Sequence, residues 1–488
     1  MKIKSFAVRN FRAIGPGDGD HFPSSEVTLD PIDFAADRIL ILGANNGGKS
    51  SLMDAYRAFV TSKWAPQIED FHGCDESNQI VMEVKISAFD EELDTDVTKK
   101  WFRNNEAIIR KVWGKRNAEG TKYCWDPQKL CWETGGFGGL DTILQNRLPE
   151  PIWIGGFSDP AEIIVQLQSL IKEAVLENLN DRDEYKNAEN ALTALRDIIE
   201  GDKYVDDLSD KIAGNVREFF PDVELRITNP ASEKGLLPLF DKQAIVTISA
   251  ENSPTLPFDR HGHGLQRQLV FSALQGAAAE LYHIKLAKSQ RKKTAPDSTR
   301  HRILLIEEPE LFLSPPAVRI MSRLVDRISR LENFQVMAAT HSPSIVDLSA
   351  PRQTLVRMVR DAGKSSYFQI GSEFFDRDER NTIRAQTLFD SHLSESIFAD
   401  WVVIVEGASE KIAINTILDR FAREKDDFSL LKLQVATFGG KGEIPLLQRI
   451  MRYLRVPYIV VHDTDDPDEQ PTDWKANFTI GDEVVAAR

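Results

Sequence analysis

The sequence predicts an α/β protein with two separate parallel-sheet units. In the first half, the apolar stretch DRILIL is followed by GANNGGKSS and then by LMDAYRAF, which is the order strand, glycine-rich loop, helix. Near the end of the chain, VVIV and IVV form two further β-branched apolar runs, and carboxylates follow each of them. Such runs are typical of buried parallel strands, whose carboxyl ends meet at one edge of a sheet.

The glycine-rich loop satisfies the pattern G-x-x-x-x-G-K-[ST] with Gly43, Gly48, Lys49 and Ser50. Glycines at these positions let backbone N–H groups approach the β- and γ-phosphates of a nucleotide, which also face the N-terminus of the following helix. Lys49 is expected to neutralise the phosphates, and Ser50 to bind the Mg²⁺ that accompanies ATP. The same loop supplies two further residues expected to contact the nucleotide, Asn45 and Ser51.

A second strand, HRILLIEEPELFLSP, places carboxylates directly after four apolar residues. Glu307 is expected to complete the Mg²⁺ shell of the nucleotide, and Glu308 to orient or deprotonate the attacking water. The stretch FQVMAATHSPSIV predicts another buried strand, which ends at His341. A histidine at this edge can contact the γ-phosphate. The alternatives are a solvated strand end for the two glutamates and a packed or capping role for His341.

Between the phosphate loop and the acidic strand lies DRHGHGLQRQLVFSAL, in which glycines precede a predicted helix. The order of phosphate loop, glycine-rich helix start, acidic strand and histidine strand resembles the ABC-type ATPase heads of the SMC and RecF group. By that resemblance, Gly264 and Gln266 bind the nucleotide of an opposite subunit, which implies a homodimer or a higher homo-oligomer. The resemblance also assigns Arg12, in the opening strand KSFAVRNFRAIG, to the nucleotide site. The segment departs from the group's signature at His263 and Leu265.

The long interval between the phosphate loop and the acidic strand predicts an insertion. Residues 160–220 have Leu, Ile and Val at three- and four-residue spacing with few helix breakers, so two or three amphipathic helices are expected. Their apolar stripes either pack on the ATPase core or pair with a second copy, and a head that sandwiches ATP favours pairing. The predicted domains are an ATPase head in two parts (1–159 and 221–380), a helical dimerisation insert (160–220) and a second domain (381–488).

The two late strands predict a metal site of their own. Glu406 ends the first strand and Glu410 follows it, while Asp463 and Asp465 follow the second strand. Four carboxylates at one sheet edge supply oxygen ligands of the kind that Mg²⁺ binds. The alternative is a solvated acidic loop, because DTDDPDEQPTD is hydrophilic throughout.

Glu-Gly after one buried strand and Asp-x-Asp after another resemble the Rossmann-like Toprim fold, and FADWVVIVEGASEK is similar to the start of Toprim in the OLD (overcoming lysogenization defect) family. An ABC-type head followed by Toprim is that family's arrangement, so the resemblance covers essentially the whole chain. It implies a DNA endonuclease in which Glu406, Asp463 and Asp465 bind a catalytic Mg²⁺ or Mn²⁺. Glu410 would help to hold a second ion. The family's Toprim extends further beyond Asp-x-Asp than this sequence does, so the domain is expected to be C-terminally incomplete.

The resemblance also implies a role in defence against phage. The OLD family includes the Gabija nuclease subunit, which is paired with a UvrD-like helicase, and effectors associated with retrons. A helicase or a retron reverse transcriptase with its msDNA is therefore a candidate partner. The departures at His263 and Leu265 and the short C-terminus favour an alternative, a dimeric ATP-binding sensor or scaffold that does not cleave DNA.

Composition favours a cytoplasmic protein without a membrane partner. No apolar run in the 488 residues approaches the roughly 20 needed to span a bilayer, and the three cysteines fit neither a metal site nor a disulfide framework. The formal charge of −15 argues against a surface coated with nucleic acid, whose phosphates need Lys and Arg. Two basic clusters, at 99–116 and 285–293, are candidate DNA contacts, and the alternative is that they are solvated faces.

Overall fold

The computed structural model describes residues 1–16, 31–88, 100–134, 148–156, 301–389, 393–425, 432–466 and 470–487, together with positions 183, 186, 187, 190, 247–248, 256–257, 260, 262–267 and 468. The chain divides into two compact units, Met1–Ser158 with Asp297–Arg488 and, separately, Asp159–Pro296. The predicted helical insert at 160–220 lies almost entirely outside the described residues, so its helices and its role in dimerisation stay predictions. The basic cluster at 285–293 lies outside them as well.

The described strands are β1 (Lys2–Arg9), β2 (Ile32–Asp33), β3 (Arg38–Gly43), β4 (Ile80–Ser87), β5 (Glu106–Trp113), β6 (Thr121–Asp126), β7 (Cys131–Thr134), β8 (Glu150–Ile154), β9 (Thr247–Ile248), β10 (Leu256–Pro257), β11 (Arg302–Glu307), β12 (Phe334–Ala339), β13 (Thr354–Asp361), β14 (Lys364–Ile370), β15 (Trp401–Val405), β16 (Leu433–Thr437) and β17 (Tyr458–Val461). The described α-helices are α1 (Lys49–Val60), α2 (Pro315–Ser329), α3 (Arg377–Phe389), α4 (Ala408–Lys425), α5 (Ile444–Tyr453) and α6 (Pro471–Ala487). Within the described ranges, no helix combines the length and the apolar character that crossing a bilayer requires.

A mixed six-stranded sheet, in the order β14-β13-β3-β12-β11-β8, positions the nucleotide motifs. All of its strands except β14 run parallel to their neighbours. The sequence DRILIL forms β3 and FQVMAA forms β12, and both strands are buried at every position. Because β3, β12 and β11 are adjacent, the segments that follow them lie along one edge of the sheet. The phosphate loop, the histidine and the acidic pair are therefore neighbours, as the sequence predicts.

The main hydrophobic core joins this sheet to an antiparallel one of the order β2-β1-β4-β5-β6-β7. Phe6 of β1 makes edge contacts with two rings of α1, Tyr56 at 5.7 Å and Phe59 at 6.5 Å between centroids. Gln335 of β12 ties the sheets together, since its Oε1 accepts from the Ile3 N–H at 3.0 Å and its Nε2 donates to the Ile3 carbonyl at 2.9 Å. This exchange fixes β1 against the sheet that carries the phosphate loop.

A small parallel sheet of the order β16-β15-β17 forms near the C-terminus. The predicted strands VVIV and IVV lie in β15 and β17, and their parallel pairing is confirmed. The expectation that both are buried holds for β15 but is wrong for β17, where Ile459 is 53% and Val461 is 45% exposed. The reason is position: among the described strands, β17 is an edge strand with a neighbour on one side only.

Part of the first basic cluster lies inside the fold. Arg110 of β5 is 0% exposed and donates to the Glu83 carboxylate from Nε at 2.9 Å and from Nη2 at 2.6 Å. It also stacks over the Trp132 ring, 4.0 Å from the centroid. Lys111 is buried and donates to the Phe59 carbonyl. For these two residues both interpretations, DNA contact and solvated face, are wrong, because antiparallel pairing carries them into the sheet. Two other members pair with carboxylates, Lys100 with Glu133 and Arg116 with Glu76.

Replacing Arg110 by methionine is expected to lower the free energy of unfolding by about 3–5 kcal/mol, because the Glu83 carboxylate then stays buried without its partner. Burial already raises the pKa of Glu83, and Arg110 opposes that rise. The double variant Arg110→Met/Glu83→Leu removes both charges and should cost less than the single variant. Urea denaturation followed by circular dichroism measures both. A double variant as unstable as the single one would contradict this account of the ion pair.

Candidate nucleotide pocket and acidic metal centre

The nucleotide pocket begins where β3 turns into the phosphate loop. Gly43 has a φ of 139° and Gly48 a φ of 96°, both in the left-handed region that favours glycine. A Cβ at Gly43 would lie 2.5 Å from the Met358 carbonyl oxygen of β13, so this close approach also requires glycine. A cavity of about 430 Å³ opens beside the loop. Its lining includes Asn45, Gly48, Lys49, Ser50, Ser51, Glu307, Glu308 and His341.

Lys49 is only 8% exposed, and the loop's own backbone holds its ammonium. Nζ donates to the carbonyl of Gly43 at 3.1 Å and to that of Ala44 at 2.9 Å. Burial lowers the pKa of Lys49 to about 8, although the three glutamates of the acidic strand act in the opposite direction. Phosphate oxygens that enter the loop would replace these carbonyls as acceptors and would further stabilise the charged form of the amine.

Glu307 ends β11, and Glu308 follows it with a φ of 45°, a conformation that residues other than glycine rarely adopt. The Glu308 N–H donates to the Ala339 carbonyl at 2.8 Å, which ties the acidic turn to the end of β12. Strained residues of this kind persist where the surrounding structure fixes them, and they cluster at functional sites. The turn presents the Glu308 carboxylate to the cavity.

Glu310 is a residue of this site that the sequence interpretation did not select. Its Oε1 accepts from the His341 N–H at 2.7 Å, and its Oε2 accepts from Thr340 Oγ1 at 2.9 Å. It therefore holds the strand end that presents His341 to the cavity. Burial and then the charge of Lys49 lower the pKa of His341, so the imidazole is neutral at pH 7. The run EEPE in the sequence was the available signal for Glu310, but only its contacts with Thr340 and His341 identify what this residue does.

The described lining of the cavity does not include Arg12, Gly264 or Gln266, three other predicted nucleotide contacts. The Arg12 guanidinium donates to Asp70 at 2.9 Å and to Asp54 at 2.6 Å, next to Ala13, which does line the cavity. Gly264 and Gln266 belong to the other compact unit. There, residues 263–267 form a helical turn, in which Gln266 is buried. Their roles in nucleotide binding stay predictions.

The second site lies at the carboxyl edge of the small parallel sheet. Val405 pairs with Val461, so Glu406 and the segment after β17 leave the sheet side by side. The Asp463 N–H donates to Glu406 Oε1 at 3.2 Å. Burial raises the pKa of Glu406, and the charges of Asp465 and Asp463 add to that rise. These three predicted carboxylates therefore lie close enough for their charges to interact.

Glu410 joins the same centre from the first turn of α4. A Cβ at Gly407 would lie 3.0 Å from Glu410 Oε2, so this carboxylate folds back over the residue that follows Glu406. The absence of a side chain at Gly407 therefore leaves room for the Glu410 carboxylate.

Lys441 is the residue of this centre that the sequence interpretation missed. It follows β16 after Gly439 and Gly440, whose φ values of 85° and 139° turn the chain towards the acids. Only 5% exposed, Lys441 donates to the Asp465 carboxylate and to the Asp463 carbonyl. Its ammonium also lies 3.7 Å from Glu406 Oε1. The sequence signal that could have found Lys441 is Gly-Gly-Lys shortly after β16, a third parallel strand that ends at the same edge of the sheet.

The donor set fits a divalent ion. Carboxylate oxygens are the hard ligands that Mg²⁺ and Mn²⁺ prefer, and four of the predicted carboxyl groups lie at this edge. In the described part of the chain, no three His, Cys, Asp or Glu side chains already surround one point as an ion would require. Lys441 supplies the positive charge beside Asp465 and Glu406. An ion would share Asp465 with Lys441 or displace it.

Two family profiles match the chain. One, described as an AAA ATPase domain, matches residues 158–346, which include Glu308 and His341. The other, described as the Toprim domain of overcoming-lysogenization-defect-like proteins, matches residues 397–465, which include Glu406 and Lys441. The chain joins an AAA ATPase domain to an OLD-like Toprim domain. The predicted fold class, an ATPase head followed by Toprim, is confirmed.

Curated relatives extend across both domains. The Old nuclease of Escherichia phage P2 is 22% identical over 95% of this chain and 77% of its own length. The endonuclease GajA of Bacillus cereus is 21% identical over 87% of this chain and 69% of its own length. The OLD nuclease of Thermus scotoductus is 27% identical over 44% of this chain and 37% of its own length.

Among solved structures, similarity is found to SMC heads. An SmcHead bound to the C-winged helix domain of ScpA has a TM-score of 0.44, with 14% identity over 76% of this chain and 99% of that one. The SMC head domain from Thermotoga maritima has a TM-score of 0.35, with the same identity and coverage. Scores at this level carry no argument about function.

Replacing Lys441 by methionine is expected to make the Toprim domain more dependent on divalent ions. Without the ammonium, Glu406 and Asp465 repel each other, so the Tm without metal falls and the rise in Tm with Mg²⁺ or Mn²⁺ exceeds that of the wild type by about 2–4 °C. Lys432→Met is the matched control, because Lys432 is an exposed lysine whose ion pair with Asp400 is worth little. Differential scanning calorimetry measures the shifts. A metal response identical to that of the wild type would show that Lys441 does not balance the acids.

Proposed function

We propose that this protein is an ATP-regulated, divalent-metal-dependent DNA endonuclease. The observation that carries the proposal is that Glu406, Asp463 and Asp465 interact at the carboxyl edge of the Toprim sheet, with Glu410 beside Gly407, in the same compact unit as the nucleotide pocket. Relatives named nuclease or endonuclease match across both domains, which supports phosphodiester cleavage as the chemistry.

In this proposal the Toprim carboxylates hold the metal, and Lys441 orders them. Glu406, Asp463 and Asp465 would bind one divalent ion, and Glu410 would help to bind a second. A bound ion lowers the pKa of its water and stabilises the charge on the leaving oxygen. Lys441 fixes the loop of Asp463 and Asp465 through its two hydrogen bonds, and its charge attracts the DNA backbone.

The ATPase site would act as the regulator. Lys49 would exchange the carbonyls of its own loop for phosphate oxygens, while Ser50 and Glu307 would hold Mg²⁺. Glu308 would orient the attacking water, and His341, held by Glu310, would contact the γ-phosphate. A second copy would supply its Gly264 and Gln266 to the nucleotide, which requires a homodimer or a higher homo-oligomer.

The biological setting proposed is the cytoplasm and the task is defence against phage. Both follow from the resemblance to OLD proteins and from a relative named endonuclease GajA. A UvrD-like helicase, or a retron reverse transcriptase with its msDNA, is the proposed partner class.

A second candidate function is a dimeric, ATP-binding scaffold that does not cut DNA. One observation favours it: Lys441 pairs with Asp465 and lies beside Glu406, so part of the negative charge of the acidic centre is offset without a metal. This candidate predicts nucleotide binding without metal-dependent cleavage, so the assay that follows decides between the two.

Incubation of the full chain with supercoiled plasmid and Mg²⁺ or Mn²⁺ is expected to yield nicked or linear DNA on an agarose gel. Glu406→Gln should slow this by more than about 100-fold, because even the outer partners of metal ligands cost roughly 10–100-fold. The control is Glu424→Gln, which alters an exposed glutamate of α4 whose ion pair, among the described residues, is with Arg420 one turn away. Absence of cleavage by the wild type with either metal, with and without ATP, would favour the scaffold.

Glu308→Gln is expected to reduce ATP turnover by about 10²–10⁴-fold, because the amide cannot accept a proton from the attacking water. ATP binding should be retained, since Lys49 and the loop backbone are unchanged. Phosphate release measures turnover, and calorimetric titration measures affinity. Loss of affinity without loss of turnover per bound ATP would contradict the role given to Glu308.

A further inference from the structure

Strand β13 of the ATPase sheet contacts both the phosphate loop and the Toprim domain through two arginines. Arg360 donates from Nη1 to the Asn46 carbonyl of the phosphate loop at 3.0 Å. Three residues earlier, Arg357 donates to backbone carbonyls that belong to the Toprim domain and to the segment leading into it. We propose that Arg357 is the positioning residue through which the nucleotide pocket sets the geometry of the Toprim carboxylates. This inference rests on the proposed function and adds to it the residue that carries the regulation.

The end of β13 near the nucleotide is in direct contact with the phosphate loop. Met358 pairs with Gly43 across the parallel register, and its carbonyl oxygen occupies the space that a Cβ at Gly43 would need. The Arg360 hydrogen bond to Asn46 adds a second contact on the other side of the glycine turn. The backbone of β13 is therefore packed against the loop so closely that a rearrangement of the loop around phosphates must be accommodated by β13.

The other contact, through Arg357, spans the starts of both acid-bearing strands. Its guanidinium donates to Ile397 at 3.1 Å and to Ala399 at 3.3 Å, just before β15, whose end carries Glu406. It also donates to Leu454 at 3.1 Å and to Arg455 at 2.8 Å, just before β17, which leads to the two aspartates. One planar group thus holds the starts of the two strands together.

This arrangement determines how the carboxylates meet. Strands β15 and β17 are short and paired, with only about 13–17 Å from start to end at the usual rise per residue. A shift of one start relative to the other therefore reaches Glu406 and Asp463, which lie in hydrogen-bond contact at the far end. Metal ligation tolerates displacements of only a few tenths of an ångström, so a small shift in strand register is enough to change the site.

The hydrogen bonds of Arg357 position the two strand starts and do not neutralise carboxylates, because their acceptors are backbone carbonyls. All four acceptors of Arg357 are carbonyls, and burial lowers its pKa, with Asp400 the one carboxylate whose charge opposes this. Arginine presents five N–H donors in a rigid plane, whereas lysine presents three on a flexible stem and glutamine two. Replacement of Arg357 by lysine or glutamine therefore leaves fewer hydrogen bonds between the two strand starts.

The two domains also hold together without Arg357. Arg449 of α5 pairs with Glu379 of α3 at 2.5 Å. Tyr453 of α5 packs edge-on against Phe374, with ring centroids 4.7 Å apart. A further contact, the Arg455 guanidinium over the Phe368 ring of β14 at 5.4 Å, reaches the segment before β17, but none of these three contacts reaches the segment before β15. A variant of Arg357 is therefore expected to remain docked while it loses the link to the strands.

The test is hydrogen–deuterium exchange of the full chain with and without Mg²⁺ and a non-hydrolysable ATP analogue. In the wild type, the analogue should change exchange in residues 454–466 by at least about fivefold, the lower end of typical coupling between sites. In Arg357→Gln the change should fall below about twofold, with exchange in the phosphate loop still responding. Arg449→Gln, a guanidinium lost from the same interface, should respond like the wild type.

Two results would overturn the inference: no response of 454–466 to the analogue in the wild type, or a full response in Arg357→Gln. If that variant fails to fold, Arg357→Lys takes its place. The lysine keeps the charge but not the planar donors, so a full response in it would equally overturn the role of Arg357. Plasmid cleavage by the same proteins is a separate measurement. Its absence in the wild type would contradict the proposed nuclease function but not the coupling measured by hydrogen–deuterium exchange.

Discussion

Carboxylates gathered at the edge of a sheet repel one another, and the positive charge that offsets this repulsion shapes both sites. In each, a buried lysine supplies the charge from a glycine turn at the end of a parallel strand. Lys49 lies near the acidic strand of the ATPase, and Lys441 lies among the Toprim acids. Both side chains are held by backbone carbonyls as well as by the field of the acids. Each site thus already holds one lysine charge that offsets part of its acidic charge, at the place where it would receive a cation or a phosphate.

The offsetting charge has a consequence for ligand binding. A divalent ion at the Toprim edge competes with Lys441 for Asp465, while a nucleotide competes with backbone carbonyls for Lys49. Both exchanges involve groups within the same compact unit, and β13 runs between them. Its arginines contact the phosphate loop at one end and the starts of β15 and β17 at the other. Strand β13 therefore contacts both the phosphate loop and the Toprim domain directly, which gives regulation by ATP a physical route.

Backbone strain is placed at the same points. Glu308 has a φ of 45° in the acidic turn of the ATPase, and Asp465 has a φ of 58° in the acidic loop of Toprim. Each strained residue is held by specific contacts, Glu308 through the Ala339 carbonyl and Asp465 through Lys441. Such conformations persist only where the surrounding structure fixes them, and they cluster at functional sites.

The sequence by itself determined the strands and the phosphate loop, because each is encoded locally, and it placed the candidate acids at the ends of those strands. An apolar run of β-branched residues that ends in carboxylates indicates a strand and the edge at which its acids emerge, as Glu307 and Glu406 show. Only the tertiary structure identified Glu310, Lys441 and Arg357, since their partners are distant in sequence. It also decided that Arg110 is buried and that β17 is an exposed edge. Those outcomes depend on which strands become neighbours, and strand order is set by packing across the whole chain rather than by any local pattern.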